Sequence, residues 1–251
     1  MAYAILFLPL LGSIIGYFGR SLTKFFSEII TSLFVSLSAA LSIIVFWNGI
    51  EKNNYFNYVI FEWISSGEFI ANWSINIDPL SSVMLVVVTF VSALVHIYSI
   101  GYMSHDSHKP RFMAYLSLFT FSMMALVVSD NFLQLFFGWE GVGLCSYLLI
   151  GFWYKKESAN NAAIKAFVVN RIGDFGLAIG IFLIFYYFGS INFNEVFQVA
   201  PQFVEKNISI FGYESSLITF ICLFLFIGAM GKSAQFLLHT WLPDAMEGPT
   251  P

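Results

Sequence analysis

Four ionisable residues lie inside long apolar stretches, where a charge is costly unless it faces a partner or water. Glu140 sits in Phe136-Phe137-Gly138-Trp139-Glu140-Gly141-Val142-Gly143, and Lys232 in Gly228-Ala229-Met230-Gly231-Lys232-Ser233. Arg171 and Asp174 stand one helical turn apart in Arg171-Ile172-Gly173-Asp174. A carboxylate and an amine held away from water suit proton transfer. A buried ammonium loses hydration and binds its proton less tightly, and a nearby carboxylate reverses that, so such a lysine can load and release a proton as its counter-ion moves.

Each residue also has a plainer reading. Glu140 follows Asp130 by ten residues, about 15 Å along a helix, which is close to the middle of a hydrocarbon layer about 30 Å thick. Gly138, Gly141 and Gly143 around it would admit a neighbouring helix. The alternative for Glu140 is a structural carboxylate, protonated or salt-bridged. Arg171 and Asp174 can neutralise each other at this spacing; if Arg171 reaches Glu140 instead, it holds that carboxylate ionised. Gln235 and His239, three and seven residues beyond Lys232, fall on its face of the helix. They would then form a polar track toward the inner surface, with a satisfied interfacial histidine as the competing reading of His239. His96, within another apolar run, reads as helix packing before proton relay.

Other chemistries find no support. Gly231-Lys232-Ser233 lacks the first glycine of a phosphate-binding loop, since Phe226 stands at that position, and no strand precedes it. No nucleophile has a base and an orienting partner, no glycine fingerprint follows a strand, and no cysteine cluster could ligate iron–sulfur. Cys145 and Cys222 lie in apolar segments and read as buried, inert thiols. Neither a metal site nor a cofactor-binding site is expected. No basic stripe interleaved with aromatics suggests nucleic acid.

The elements that must position these residues are transmembrane helices. Of 251 residues 58% are hydrophobic and 10% charged, against about 25% charged in soluble domains, and the mean hydropathy is +0.78. Thirty Phe, 12 Tyr and 6 Trp suit a lipid-facing chain with aromatic belts. A span needs about 20 apolar residues. Segments near 2–19, 28–48, 79–101, 112–129, 131–153, 162–188 and 215–241 qualify, with a tight turn at Asp130-Asn131. The expected fold is all-α, a polytopic bundle of about seven spans. It forms one transmembrane domain over 1–251, with N-terminal helices and an outer hairpin in 1–130 and a proton-channel module beginning at 131.

Charge placement orients the bundle. Alternating sides puts Arg20, Lys24, Lys109, Arg111, Lys155, Lys156 and Lys165, seven of the 11 Lys and Arg, on one side. Lys52 and Lys206 fall on the other. The richer side faces inward, so the N-terminus lies outside. The first apolar segment has no basic residues before it and is expected to be an uncleaved helix. In the first long outer loop, Asn57–Ile64 and Glu68–Ile77 around Ser65-Ser66-Gly67 predict a β-hairpin. In the second, at 189–214, Asn192 and Glu195 at capping-box spacing predict a short amphipathic helix. The final Gly248-Pro249-Thr250-Pro251 follows a span directly, and a longer protein is expected.

The stretch Gly138 to Phe152, with Lys165-Ala166-Phe167-Val168-Val169, Arg171-Ile172-Gly173-Asp174, Gly231-Lys232-Ser233-Ala234-Gln235 and His239 through Pro251, resembles the antiporter-like membrane subunits of respiratory complex I, NADH–quinone oxidoreductase subunit L or chain 5. The similarity runs along essentially the whole chain. Multisubunit sodium/proton antiporters share the glutamate and lysine but are less similar around Gly141-Val142-Gly143-Leu144-Cys145, and they are the alternative reading; a structural scaffold is the third. The resemblance implies an inner-membrane, multi-pass, proton-translocating subunit in which Glu140 and Lys232 form the core of a half-channel, Asp174 and Arg171 tune it, and the lysine's helix is interrupted near mid-membrane. It implies that FMN, iron–sulfur clusters and quinone belong to partner subunits, and that the partners are other complex I membrane subunits, especially a neighbouring antiporter-like one. The family's chain is more than twice as long, so a second half-channel and a long lateral helix would lie beyond Pro251.

Overall fold

The computed structural model describes residues 1–19, 24–52, 55–67, 69–210 and 213–251; the inner cation Arg20 and the hairpin residue Glu68 lie outside them. Every apolar run becomes a helix: α1 (Ala2–Phe18), α2 (Lys24–Lys52), α3 (Pro79–Tyr102), α4 (Lys109–Val127), α5 (Phe132–Ile150), α6 (Glu157–Phe188), a short α7 (Phe193–Val199) and α8 (Leu217–Lys232). Five of them (α2 to α6) are long and apolar enough to cross a membrane. α1 and α8 are apolar but shorter, at 17 and 16 residues. The outside of the bundle is greasy: Phe175, Phe182 and Tyr186 on α6 are 69%, 70% and 77% exposed, the surface of a protein solvated by lipid.

Local chemistry sets the helix ends. Asp78 caps α3 by accepting from Ser81 N at 2.7 Å while Ser81 Oγ accepts from Asp78 N at 2.7 Å, a reciprocal capping box with Pro79 at the first helical position. Asn131 caps α5 by accepting from Gln134 N at 2.8 Å, which makes Asp130-Asn131 the expected tight turn. Gly189 ends α6 at φ +75°, a left-handed conformation that glycine adopts without a Cβ clash.

The predicted hairpin is present as β1 (Phe56–Ser66) and β2 (Phe69–Ile77), antiparallel from Phe56↔Ile77 to Ser66↔Phe69. One face of β2 is anchored in the bundle: Trp73, Ile75 and Ile77 are buried with Ile5, Leu6, Leu85 and Met124. Gln134, fully buried on α5, donates to Ser74 O at 2.8 Å and accepts from Ser74 N at 2.9 Å. The second outer loop holds α7, as expected. Asn192 caps it by accepting from Asn194 N at 3.0 Å, rather than through the capping box with Glu195. The sequence reading missed a second small hairpin, β3 (Asn207–Ile210) with β4 (Tyr213–Ser216).

Charges separate by end of the bundle as expected. Lys109, Lys156 and Lys165 share one end, bound to Glu28 (2.7 Å), Glu247 (2.6 Å) and Asp244 (2.6 Å). The hairpins, Asp130 and Lys206 occupy the other. The Lys109–Glu28 pair is almost fully buried, with side chains 8% and 4% exposed.

Candidate functional site

Three helices bring the intramembrane charges together: α5 carries Glu140, α6 carries Arg171 and Asp174, and α8 carries Lys232. Small residues make the approach possible. A Cβ on Gly173 would lie 3.1 Å from Gly231 Cα, and one on Gly228 only 2.7 Å from Leu177 Cβ. On α5, a Cβ on Gly138 would meet the Leu126 backbone at 2.5 Å, and one on Gly141 would meet Ser122 Oγ at 2.8 Å, so the glycines around Glu140 admit α4 as foreseen. Gly143 admits a side chain instead: a Cβ there would lie 2.5 Å from Lys232 Nζ.

The charges form a file of alternating sign. The Arg171 guanidinium pairs with the Glu140 carboxylate through Nη1 and Oε2, and the same Nη1 lies 3.8 Å from Asp174 Oδ2. It also stacks over the Phe167 ring at 4.5 Å. Asp174, 5% exposed, accepts at Oδ1 from Trp139 Nε1 at 2.7 Å. Asp174 interacts electrostatically with Lys232, whose Nζ lies 6.0 Å from the centre of the Trp139 ring and is buried with no hydrogen-bond partner among the described residues. Carboxylate, guanidinium, carboxylate and ammonium thus follow one another from Glu140 to Lys232. The two readings of Arg171 are both partly realised, with Glu140 the tighter partner. Among the described residues no ion pair joins Glu140 and Lys232 directly, and the link runs through Arg171 and Asp174.

α8 ends at Lys232 rather than continuing to 241. Beyond it Ala234 and Leu237 take positive φ values of 50° and 68°, and Trp241 Nε1 donates to Gly231 O at 3.1 Å, folding the segment back over the helix end. The helix interruption implied by the resemblance is therefore present. The helical track through Gln235 and His239 is not: both side chains are exposed on a non-helical segment, because the backbone turns before their register with Lys232 can develop. His96 is fully buried on α3, its Nδ1 2.7 Å from Ser92 O, and is not part of the charge file. Cys145 is buried, whereas Cys222 is exposed on the outer face of α8, so the reading of two buried thiols holds for Cys145 alone. Among the described residues no group of three or more His, Cys, Asp or Glu could hold a metal ion.

Sequence reasoning passed over two residues. Trp139 joins Asp174 and Lys232, and its signal was an indole N–H buried beside a charge, which needs an acceptor. Asn170, 6% exposed on α6, donates to Ala166 O at 2.8 Å while its Oδ1 has no partner; its position just before Arg171 was the only hint.

Two family profiles match. Residues 63–113 fit the family described as NADH-ubiquinone oxidoreductase (complex I), chain 5 N-terminus, and residues 129–251 fit the NADH:quinone oxidoreductase/Mrp antiporter transmembrane family. NADH-quinone oxidoreductase subunit L of Rickettsia bellii is 52% identical over 252 residues, covering 100% of the chain and 39% of that protein. NADH-ubiquinone oxidoreductase chain 5 of Chondrus crispus is 52% identical over 252 residues and that of Arabidopsis thaliana 55% over 253, each covering 100% of the chain and 38% of the relative.

The chain belongs to the complex I subunit L/chain 5 family. As a member of that family it is a multi-pass inner-membrane protein, and it spans less than two fifths of the length of these curated relatives. Its fold extends to more distant assemblies. The structure of the Mrp complex from Dietzia sp. DQ12-45-1b matches with a TM-score of 0.81 at 22% identity, covering 99% of this chain and 25% of that one. A membrane-bound sulfane sulfur reductase, an archaeal respiratory complex, matches with a TM-score of 0.76 at 17% identity, covering 96% and 35%. The chain thus shares its helical framework with these assemblies.

Proposed function

We propose that the chain forms part of a proton-translocating membrane subunit of NADH:quinone oxidoreductase, coupling quinone reduction elsewhere in the complex to proton transfer through the Glu140–Arg171–Asp174–Lys232 file. One observation carries the reading: Lys232, at the interrupted end of α8, holds a buried amine without a hydrogen-bond acceptor, balanced by Asp174. In this reading Glu140 is the input and Arg171 the divider. When Arg171 is drawn toward Glu140, Asp174 is free to hold Lys232 protonated; when Arg171 moves toward Asp174, Lys232 loses its counter-charge and releases the proton. The inner side supplies the proton, and the outer side receives it.

The energetics are sufficient. Moving one charge against 100 mV costs about 2.3 kcal/mol, and each tenfold change in proton affinity is worth about 1.4 kcal/mol, so a hundredfold swing at Lys232 covers the transfer. Electron transfer through FMN, iron–sulfur clusters and quinone is assigned to partner subunits, and the contacts of this chain are with other membrane subunits, above all a neighbouring antiporter-like one.

The test is Lys232→Ala in the intact complex reconstituted into vesicles. NADH–quinone turnover with most coupled proton movement lost supports the reading, and pumping at the unsubstituted ratio rejects it. An assembly that exchanges sodium for protons but does not oxidise NADH with quinone would favour the antiporter alternative.

A further inference from the structure

We infer that the inner end of α4 and α5 carries a binding site for the phosphate headgroup of an anionic phospholipid, separate from the charge file. A cavity of about 360 Å³ opens there beside Arg111, Phe152, Trp153, Tyr154, Lys155 and His108. It lies where α5 has ended at Ile150 and α6 has not yet begun, in the connection between two helices long and apolar enough to cross a membrane. Basic pockets between helices on the inner side are where anionic headgroups bind, and exposed Trp153 and Tyr154 suit the interfacial belt.

The cations are built for an anion. Arg111 lies between two rings, its guanidinium 4.5 Å from the Phe152 centroid and 5.2 Å from that of Tyr154. It spends one donor on Phe152 O at 2.7 Å, while Nε is buried with no partner. Lys155 is exposed at the rim and pairs with no carboxylate among the described residues, whereas its neighbour Lys156 is taken by Glu247. Of the nearby carboxylates, Asp106 is occupied by Trp153 Nε1 at 2.9 Å and His108 N at 2.7 Å, and Glu247 by Lys156. Partial burial opposes ionisation of Asp106, yet its bonds and the charges of His108 and Arg111 hold it below the usual carboxylate range. Arg111 and Lys155 are the two cations here that form no ion pair with a carboxylate among the described residues.

A second cavity, about 180 Å³, adjoins Arg111 and is lined by Tyr115, Tyr147, Leu148, Tyr154, Asn160 and Ala163. The exposed rings of Trp153 and Tyr154 beside the first cavity favour a lipid over a free phosphate.

The test uses the intact assembly in phosphatidylcholine nanodiscs doped with a headgroup-photoreactive phosphatidylglycerol, with cross-linked peptides mapped by mass spectrometry. Labelling should concentrate on the 152–156 segment, exceed that from a matched phosphatidylcholine probe, and resist excess inorganic phosphate. Lys155→Gln, at an exposed side chain that leaves the fold untouched, should lower it about five-fold, and Arg111→Lys should lower it with proton translocation retained. Equal labelling by the two lipids, or no change in either variant, overturns the site; displacement by inorganic phosphate assigns it to a soluble anion and overturns the lipid.

Discussion

Lys232 crosses from α8 to place its ammonium against Gly143 on α5, where the absence of a Cβ leaves room. The contact lies one helical turn beyond Glu140 on the same helix, so α5 touches both ends of the charge file, at the Glu140 carboxylate and at the Lys232 amine. A shift of α5 relative to α6 and α8 would change both environments at once.

The Gly143→Val variant tests that coupling. Its new side chain meets the flexible tip of Lys232 rather than backbone, so overpacking should cost about 1 kcal/mol and leave the assembly intact. Displacing the amine should nevertheless reduce proton translocation several-fold at near-normal NADH oxidation. Vesicle proton uptake per NADH oxidised is the measurement, and an unchanged ratio would show that the position of Lys232 does not matter.

Trp139→Phe keeps the ring facing Lys232 and removes the donor to Asp174 Oδ1. A hydrogen bond to a charged group is worth about 1.5–3 kcal/mol, and its loss frees Asp174 to compete with Glu140 for Arg171. Slower proton translocation is expected in Trp139→Phe but not in Trp63→Phe, a control in the outer hairpin. Equal rates in both variants would leave Trp139 with a packing role only.

The buried Lys109–Glu28 pair holds α2 to α4 at the inner end. Lys109→Met strands a buried carboxylate and should destabilise the chain by about 3–5 kcal/mol; adding Glu28→Met should recover much of that loss. Thermal unfolding in detergent of the two single variants and the double variant forms a cycle, and additive losses would contradict a coupled pair.

Glu247 offers a pH test outside the membrane. The hydrogen bond from Lys156 Nζ, then that from Ser158 Oγ and the charge of Lys156, hold its carboxyl below the ordinary value. A depressed folded-state value means that its contribution is present above the unfolded carboxylate range and is lost as pH falls through the folded value. Lys156→Met should therefore remove stability near neutral pH and flatten the acid limb of the melting profile, with the difference shrinking in high salt because the pair is exposed. An acid limb identical to that of the unsubstituted chain would argue against the pair.

Gln134→Leu should loosen the outer hairpin, since the backbone N–H and C=O of Ser74 lose the side chain they bind; an unsatisfied buried group costs about 1–3 kcal/mol. Faster proteolysis within β1 and β2, with α5 still protected, is the expected readout.

The sequence by itself determined the spans, their order, the first hairpin and the segregation of cations, because hydropathy, turn residues and charge act locally and the bilayer imposes length. It also marked Glu140, Arg171, Asp174 and Lys232, since charges in apolar segments stand out without knowledge of the fold. Tertiary structure alone decided who pairs with whom. Asp174 was within one turn of Arg171, but whether Glu140 could also reach that guanidinium depended on how closely glycines let α4, α5, α6 and α8 approach. The end of α8 was equally hidden, because Lys232 through Gln235 carries no proline or turn signal, and the break rests on positive φ at Ala234 and Leu237 and on Trp241 reaching back to Gly231. Local propensity speaks for a residue's own turn of chain; a counter-ion three helices away is set by packing.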